Sequence, residues 1–282
     1  MEIAKYEEIL SELEMFISIG TSVSNRLVGT TTNDMHQSYA DPIFSKLICH
    51  AISLHKLSPQ IKKFNSTQIW DVPSACAVAR CIIDAYDVLE YIALVNTEEL
   101  ERSFRLLVWR THDQQRRSHM LHSIQSKNPI ALEIHAQANE LVRQAEQHPW
   151  FSRIEKNIQN RIKNGDAPSF LISHKQLNAA NGVNHEYYVS AKMMLSQHVH
   201  TFPMATHQLL EFKAGTPEAL HLSSMPIQYS LGYLARAIRR MAEMFLHGDL
   251  DITDEQSLAL EVWIAVVEKG VNAACFSNEI VN

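Results

Sequence analysis

Arg80, Asp84 and Asp87 recur at four- and three-residue spacing in the segment VPSACAVARCIIDAYDVLEYIALV. On a helix of 3.6 residues per turn they share one face, and Tyr91 extends the line within an arc of about 60°. A guanidinium set beside two carboxylates could hold an anionic group and orient it, because Arg presents a planar fork of donors that matches carboxylate or phosphate oxygens. A hundred residues on, YYVSAKMMLSQHVH carries Tyr188, Ser196 and His200. Ser196 and His200 stand one turn apart, and a hydroxyl next to an imidazole is the start of a nucleophile and general-base pair. A serine hydrolase also needs an orienting acid and oxyanion donors, and the sequence identifies neither. Projected around a helix from Tyr188, His200 falls among apolar neighbours, including Val189 and Met193, and His198 falls away from them. His200 is therefore expected in the core, and His198 at the surface.

Each feature also has a purely structural explanation. The strip Arg80–Asp84–Asp87–Tyr91 interrupts a helix that is apolar around nearly all its remaining circumference. It is either a thin solvent-facing seam or an internal network in which Asp84 and Asp87 compensate Arg80. His200 could be a core histidine bonded to a carboxylate or carbonyl, and Ser196 could bond back to its own helix.

The two segments together resemble a bacterial family of all-helical proteins of unknown function. Its members show an Arg-x3-acid helix followed by a Tyr…Ser…Val-His helix. Here these are Arg80 with Asp84, where the family pattern would have Glu, and Tyr188 with Ser196, Val199 and His200. The resemblance spans about 75–210. It implies no reaction, but it implies that Arg80, Asp84, Ser196 and His200 meet in one place. The residues themselves suggest a pocket there for an anionic ligand, with Arg80 binding it, Asp84 orienting it, and His200 and Ser196 as the catalytic candidates if the site is enzymatic.

A third candidate lies in ELERSFRLLVWRTHDQQRRSHMLH, residues 99–122, where Glu101, Arg105, His112, Arg116 and His119 share one face. It reads as a solvated basic face or as a contact for phosphate or RNA. Within it, Arg117-Ser-His-Met-Leu-His122 resembles the Arg-x4-His pattern of the HEPN ribonucleases. That likeness implies metal-independent RNA cleavage at a dimer interface, of the kind found in toxin or phage-defence systems. On a regular helix, however, Arg117 and His122 are about 140° apart. A metal site would need three or four convergent ligands. Although His119 with His122, or His185 and Glu186 with His200, could contribute, there is no HExxH and no paired Glu-x-x-His. No metal or cofactor is expected, and no glycine-rich nucleotide motif occurs.

The elements that must position these residues are helical. Gly numbers only 8 in 282 residues, and hairpins consume Gly. Apolar periodicity and Asp/Asn/Thr caps with Pro predict helices at about 2–27, 41–57, 73–95, 98–126, 128–147, 150–164, 173–180, 185–201, 222–247 and 254–274. Period-two alternation is missing. The expectation is an all-α bundle of about 8–10 helices, a single domain over 1–282 that is weakest at 165–184, with 73–95 as its central helix.

A hydrophobic share of 46% and a charged share of 20% suit a folded globular chain. The formal charge of −6 supplies no general attraction for nucleic acid. Cys49, Cys76, Cys81 and Cys275 form no CxxC and are expected as reduced core residues of a cytoplasmic protein. The acidic, amphipathic N-terminal segment does not read as a signal peptide, and no apolar run is long enough to span a membrane. Partners are unspecified. A homodimer is compatible with the amphipathic segment LGYLARAIRRMAEMFLHG, and RNA enters only under the ribonuclease reading. A helical scaffold with no site is the remaining alternative.

Overall fold

A computed structural model describes residues 1–30, 32, 34–61 and 70–271. Among these the protein is all-α, with eleven α-helices and no strand. In chain order they are α1 (Ile3–Leu27), α2 (Ala40–Leu57), α3 (Val72–Val88), α4 (Glu99–Ser123), α5 (Ile130–Gln147), α6 (Lys156–Lys163), α7 (His174–Asn181), α8 (His185–Val199), α9 (Pro203–Glu211), α10 (Pro217–Phe245) and α11 (Asp254–Lys269). A π-helical turn, Leu89–Ala93, follows α3. None of these helices is long and apolar enough to cross a membrane.

The chain divides into two compact units, one formed by Met1–Glu90 with Leu177 onward, the other by Tyr91–Gln176. The sequence gives no linker at either crossing. One crossing falls in the π-helical turn and the other in α7, inside the irregular stretch 165–184.

In the first unit α10 is the most enclosed helix, in contact with α1, α2, α3 and α11. It is buried on nearly every side from Ile227 to Met241. The sequence placed 73–95 at the centre, but α3 lies beside α10, between α2 and α8. Small residues permit this enclosure. A Cβ built on Gly232 would lie 2.1 Å from Val267 Cγ2 and 2.8 Å from the Trp263 carbonyl oxygen, so α11 approaches α10 at a position only Gly fits. Thr216 caps α10 by accepting from the Ala219 N–H at 3.2 Å, with Pro217 in the first turn. That cap starts the helix five residues before the expected 222. At α11 Thr253 and Gln256 form a reciprocal capping box. The expected end of that helix, Ala274, lies outside the described residues, as does Cys275.

In the second unit α4 and α5 form a hairpin against which α6 closes. Its core is Phe104, Val108, Ala145, Phe151, Ile162 and Ala167. Gln115 ties the unit together: its amide donates to the Ile162 carbonyl at 3.0 Å and accepts from the Ala167 N–H at 2.7 Å. His112 Nδ1 meets the Ala167 carbonyl at 2.7 Å, and Arg105 is buried against Glu101. The face of 99–122 read as solvated is thus packed in part: Arg105 is buried and Glu101 and His112 are half-buried, whereas Arg116 and His119 remain exposed. The expected helix 150–164 is a 3₁₀ turn at Pro149–Arg153 followed by α6, since Pro149 favours a fresh start. Helix α9, which the sequence did not signal, begins with Pro203 at its first turn.

Candidate functional site

Helices α3 and α8 run antiparallel and meet through three polar rungs, each about one turn from the next. Arg80 Nη1 donates to Ser196 Oγ at 2.9 Å. Lys192 Nζ pairs with the Asp84 carboxylate. Tyr188 OH donates to Asp87 Oδ2 at 2.9 Å. The order 80–84–87 on one helix faces 196–192–188 on the other, which the 3.6-residue period imposes on facing stripes. Asp71 and Asn184 fix the two starts, each accepting from a first-turn N–H.

The rungs differ in their exposure to water. Arg80 and Asp84 side chains are 31% and 50% exposed, and Asp87 is 2% exposed. The strip is therefore a seam at one end and an internal network at the other. Arg80 Nε stands 3.8 Å from Asp84 Oδ2, a loose pair, so the guanidinium is held chiefly by the Ser196 hydroxyl. Ser196 Oγ in turn donates to the Lys192 carbonyl at 2.5 Å. The Ser196 proton is committed to its own helix, which argues against nucleophilic use. Lys192 Nζ also sits 5.5 Å from the Tyr188 ring centroid, in cation–π contact.

Burial pushes the Asp87 carboxyl up to about 7, with Asp84 adding to the shift, against the Tyr188 hydrogen bond and the Lys192 charge. Burial and the neighbouring Asp87 raise the Tyr188 phenol too. Beneath this rung lies a set of ionisable groups that sequence reading missed. Arg236 Nε donates to Tyr86 OH at 2.8 Å, and its terminal nitrogens pair with Glu268 and with the Asn181 carbonyl. Arg240 Nε stands 3.2 Å from the buried Glu90, whose carboxyl burial drives upward. Tyr233 packs edge-on to Tyr86 and stacks with Tyr187, and its hydroxyl is buried with no hydrogen-bond partner among the described residues. In a heptad-like reading Tyr86 and Arg236 look like core and surface, respectively. Their pairing depends on α10 crossing α3, which no local pattern reports.

His200 is a correction. It is exposed at the C-terminus of α8, with its ring against Phe202, while His198 is 3% exposed. The buried stripe of α8 is Tyr187, Tyr188, Ala191, Leu195 and His198. Val189 and Met193, taken as core neighbours of His200, are at the surface, as is Val199. The helix also ends at Val199, and Thr201 turns to φ +54, so position 200 no longer follows the helical projection. The general-base role expected for His200 therefore has no structural support.

Tyr91 is the second correction. It belongs to the other unit, where its hydroxyl accepts from the Leu171 N–H at 2.9 Å and its ring lies under Arg105. The ribonuclease pair does not assemble within the chain either. Arg117 Nε is 2.9 Å from Asp113, one turn back, and His122 is exposed. Of the cysteines, Cys76 is buried, whereas Cys49 and Cys81 are exposed, and all three are free thiols. Groups of three or more His, Cys, Asp or Glu able to hold a metal do not occur among the described residues.

Comparisons with protein-family models, with curated proteins and with solved structures find no match.

Proposed function

We propose that the protein is a binding protein, and that the solvent end of the α3–α8 ladder takes a small anionic group, a carboxylate or phosphate. One observation carries this reading: the Arg80 side chain is about a third exposed and anchored by a neutral hydroxyl, with the Asp84 carboxylate 3.8 Å away. A guanidinium used only to stabilise the fold is more often closed by a bidentate carboxylate. Here Ser196 fixes the orientation of the fork without neutralising it, and Lys192 brings a second cation one turn away. Asp84 then holds Lys192 in place, and Asp87–Tyr188 forms the dry floor of the ladder.

Calorimetric titration at low ionic strength with inorganic phosphate, acetate and succinate tests the reading. Binding of at least one of these, weakened about tenfold or more by Arg80→Ala and partly kept by Arg80→Lys, is the expected result. Binding that survives Arg80→Ala unchanged, or no binding of any of the three at millimolar concentration, overturns it.

A further inference from the structure

Between Asp113 and Glu133 the chain has no acidic residue, yet it holds Arg116, Arg117, Lys127, His119 and His122. This stretch makes the turn of the α4–α5 hairpin in the second unit. Four large aliphatic side chains stand at the surface there: Met120, Ile124, Ile130 and Leu132 are between 50% and 77% exposed. Met120 and Ile124 lie one turn apart on the side of α4 opposite its buried Phe104, Val108 and Gln115, and Arg117 shares their stripe. Charge is also divided between the units. Of the 25 Lys and Arg residues 12 fall in Tyr91–Gln176, with 9 of the 31 Asp and Glu, so this unit is net basic (+3) and the remainder net acidic (−9).

The turn satisfies much of its own backbone. Gln125 takes φ +50 and closes α4, and the N–H groups of Ile124, Gln125 and Ser126 donate to the Met120, His122 and Leu121 carbonyls at 3.1, 2.9 and 2.9 Å. The Asn128 side chain accepts from the Ile130 N–H at 3.1 Å, and the Asn128 carbonyl accepts from the Ala131 N–H at 2.9 Å. Pro129 has no N–H to satisfy. Amides bonded from within cost little to move out of bulk water.

We propose that the α4–α5 turn is a peripheral anchor for an anionic lipid bilayer. Met120, Ile124, Ile130 and Leu132 enter the boundary between headgroups and acyl chains, while Lys127, His122 and Arg117 face lipid phosphates. Lys127 and His122 have no carboxylate partner among the described residues, and the Arg117–Asp113 pair is half-exposed and easily exchanged. Neither a few aliphatic side chains nor a few cations hold a protein to a membrane alone, but the two contributions add. The patch has no aromatic residue, and protein hot spots are built on aromatic anchors, so fluid acyl chains suit it better than a shaped protein pocket. The carboxylate excess elsewhere in the chain disfavours contact through other faces.

The experiment is co-sedimentation of the full chain with vesicles of phosphatidylcholine alone, or of phosphatidylcholine and phosphatidylglycerol in equal parts. Binding about tenfold or more tighter to the anionic vesicles is expected, falling several-fold at high sodium chloride. Ile124→Ser/Leu132→Ser should weaken it about tenfold or more, and Lys127→Glu several-fold. Leu210→Ser, at an equally exposed leucine on α9, should bind as the parent does. Thermal melts establish that these surface variants are folded. Ile124→Trp adds a direct reading: compared with the parent, its emission should shift to the blue with anionic vesicles and be quenched by brominated lipid. No binding to anionic vesicles, binding indifferent to the turn substitutions, or no blue shift would each overturn the proposal. So would sedimentation velocity without lipid, if it showed a parent dimer that Ile124→Ser/Leu132→Ser makes monomeric, since the patch would then belong to a second copy of the chain.

Discussion

Asp87 and Tyr188, 101 residues apart in the chain, are joined by a 2.9 Å hydrogen bond between two buried side chains, and this bond closes the inner end of the α3–α8 ladder. Its carboxyl titrates near 7 because burial disfavours the charge more than Tyr188 and Lys192 support it.

That shift sets a pH dependence of known sign. In the unfolded chain Asp87 loses its proton in the ordinary carboxylate range, whereas the folded protein holds it up to about 7. Between the two values the folded state binds more protons, so the Asp87 contribution to stability falls as pH rises, then levels off above 7. Asp87→Asn keeps an acceptor for Tyr188 and removes the titration. Urea unfolding at pH 5 and pH 8 should show the variant gaining over the parent at pH 8, with the difference shrinking at pH 5.

The helical class, most helix limits and the shared face of Arg80, Asp84 and Asp87 were readable because each follows from local periodicity and capping. The rungs themselves were half readable. Ser196 was singled out, but Lys192 was passed over, since a lysine on a helix is ordinarily solvent-facing. His198 and His200 were exchanged because exposed Val189, Met193 and Val199 look identical in sequence to a core stripe. Tyr86, Arg236 and Glu90 were invisible, since their partners lie about 150 residues away and depend on helix crossing alone.

The two ion-pair settings should separate on substitution. Asp84→Ala removes a partner of Lys192 at a half-exposed position and should cost less than about 1 kcal/mol, declining with added salt. Arg236→Ala leaves the buried Tyr86 hydroxyl without its donor and unpairs the partly exposed Glu268, and should cost more, about 1–3 kcal/mol, with a weaker salt dependence. Equilibrium denaturation at low and high sodium chloride distinguishes them. Equal losses for both would contradict the difference in burial between Asp84 and Arg236.

Helix propensity alone would have Gly232→Ala stabilise α10 by about 1 kcal/mol. The Val267 side chain and the Trp263 carbonyl occupy the space a methyl needs, and a carbonyl on α11 moves only with its helix. The expected outcome is a net loss of about 1–3 kcal/mol. Gly20→Ala meets only the tip of Ile48, which can rotate, and should lose less. Melting temperatures of the two variants give the ordering, and a Gly232→Ala protein as stable as the parent would refute the close approach of α10 and α11.

His198 makes the opposite pH prediction to Asp87. Its ring is buried between α8 and α9, and neither nitrogen has a hydrogen-bond partner among the described residues, although Gln208 lies beside it. Burial lowers its pKa, so the folded state resists protonation that the unfolded chain accepts. The unfolded state then binds more protons as pH falls below the ordinary imidazole value, and the His198 contribution is lost through that acid window. Since α9 is short and presents Met204, Leu209 and Leu210 to solvent, it should be the first element to loosen. Amide exchange at pH 5 should be faster in α9 than in α10, relative to neutral pH and corrected for intrinsic rates. His198→Leu fills the same dry site without a titratable group, so it should abolish the acid-specific loosening. If the variant loosens as the parent does, the imidazole is not the cause.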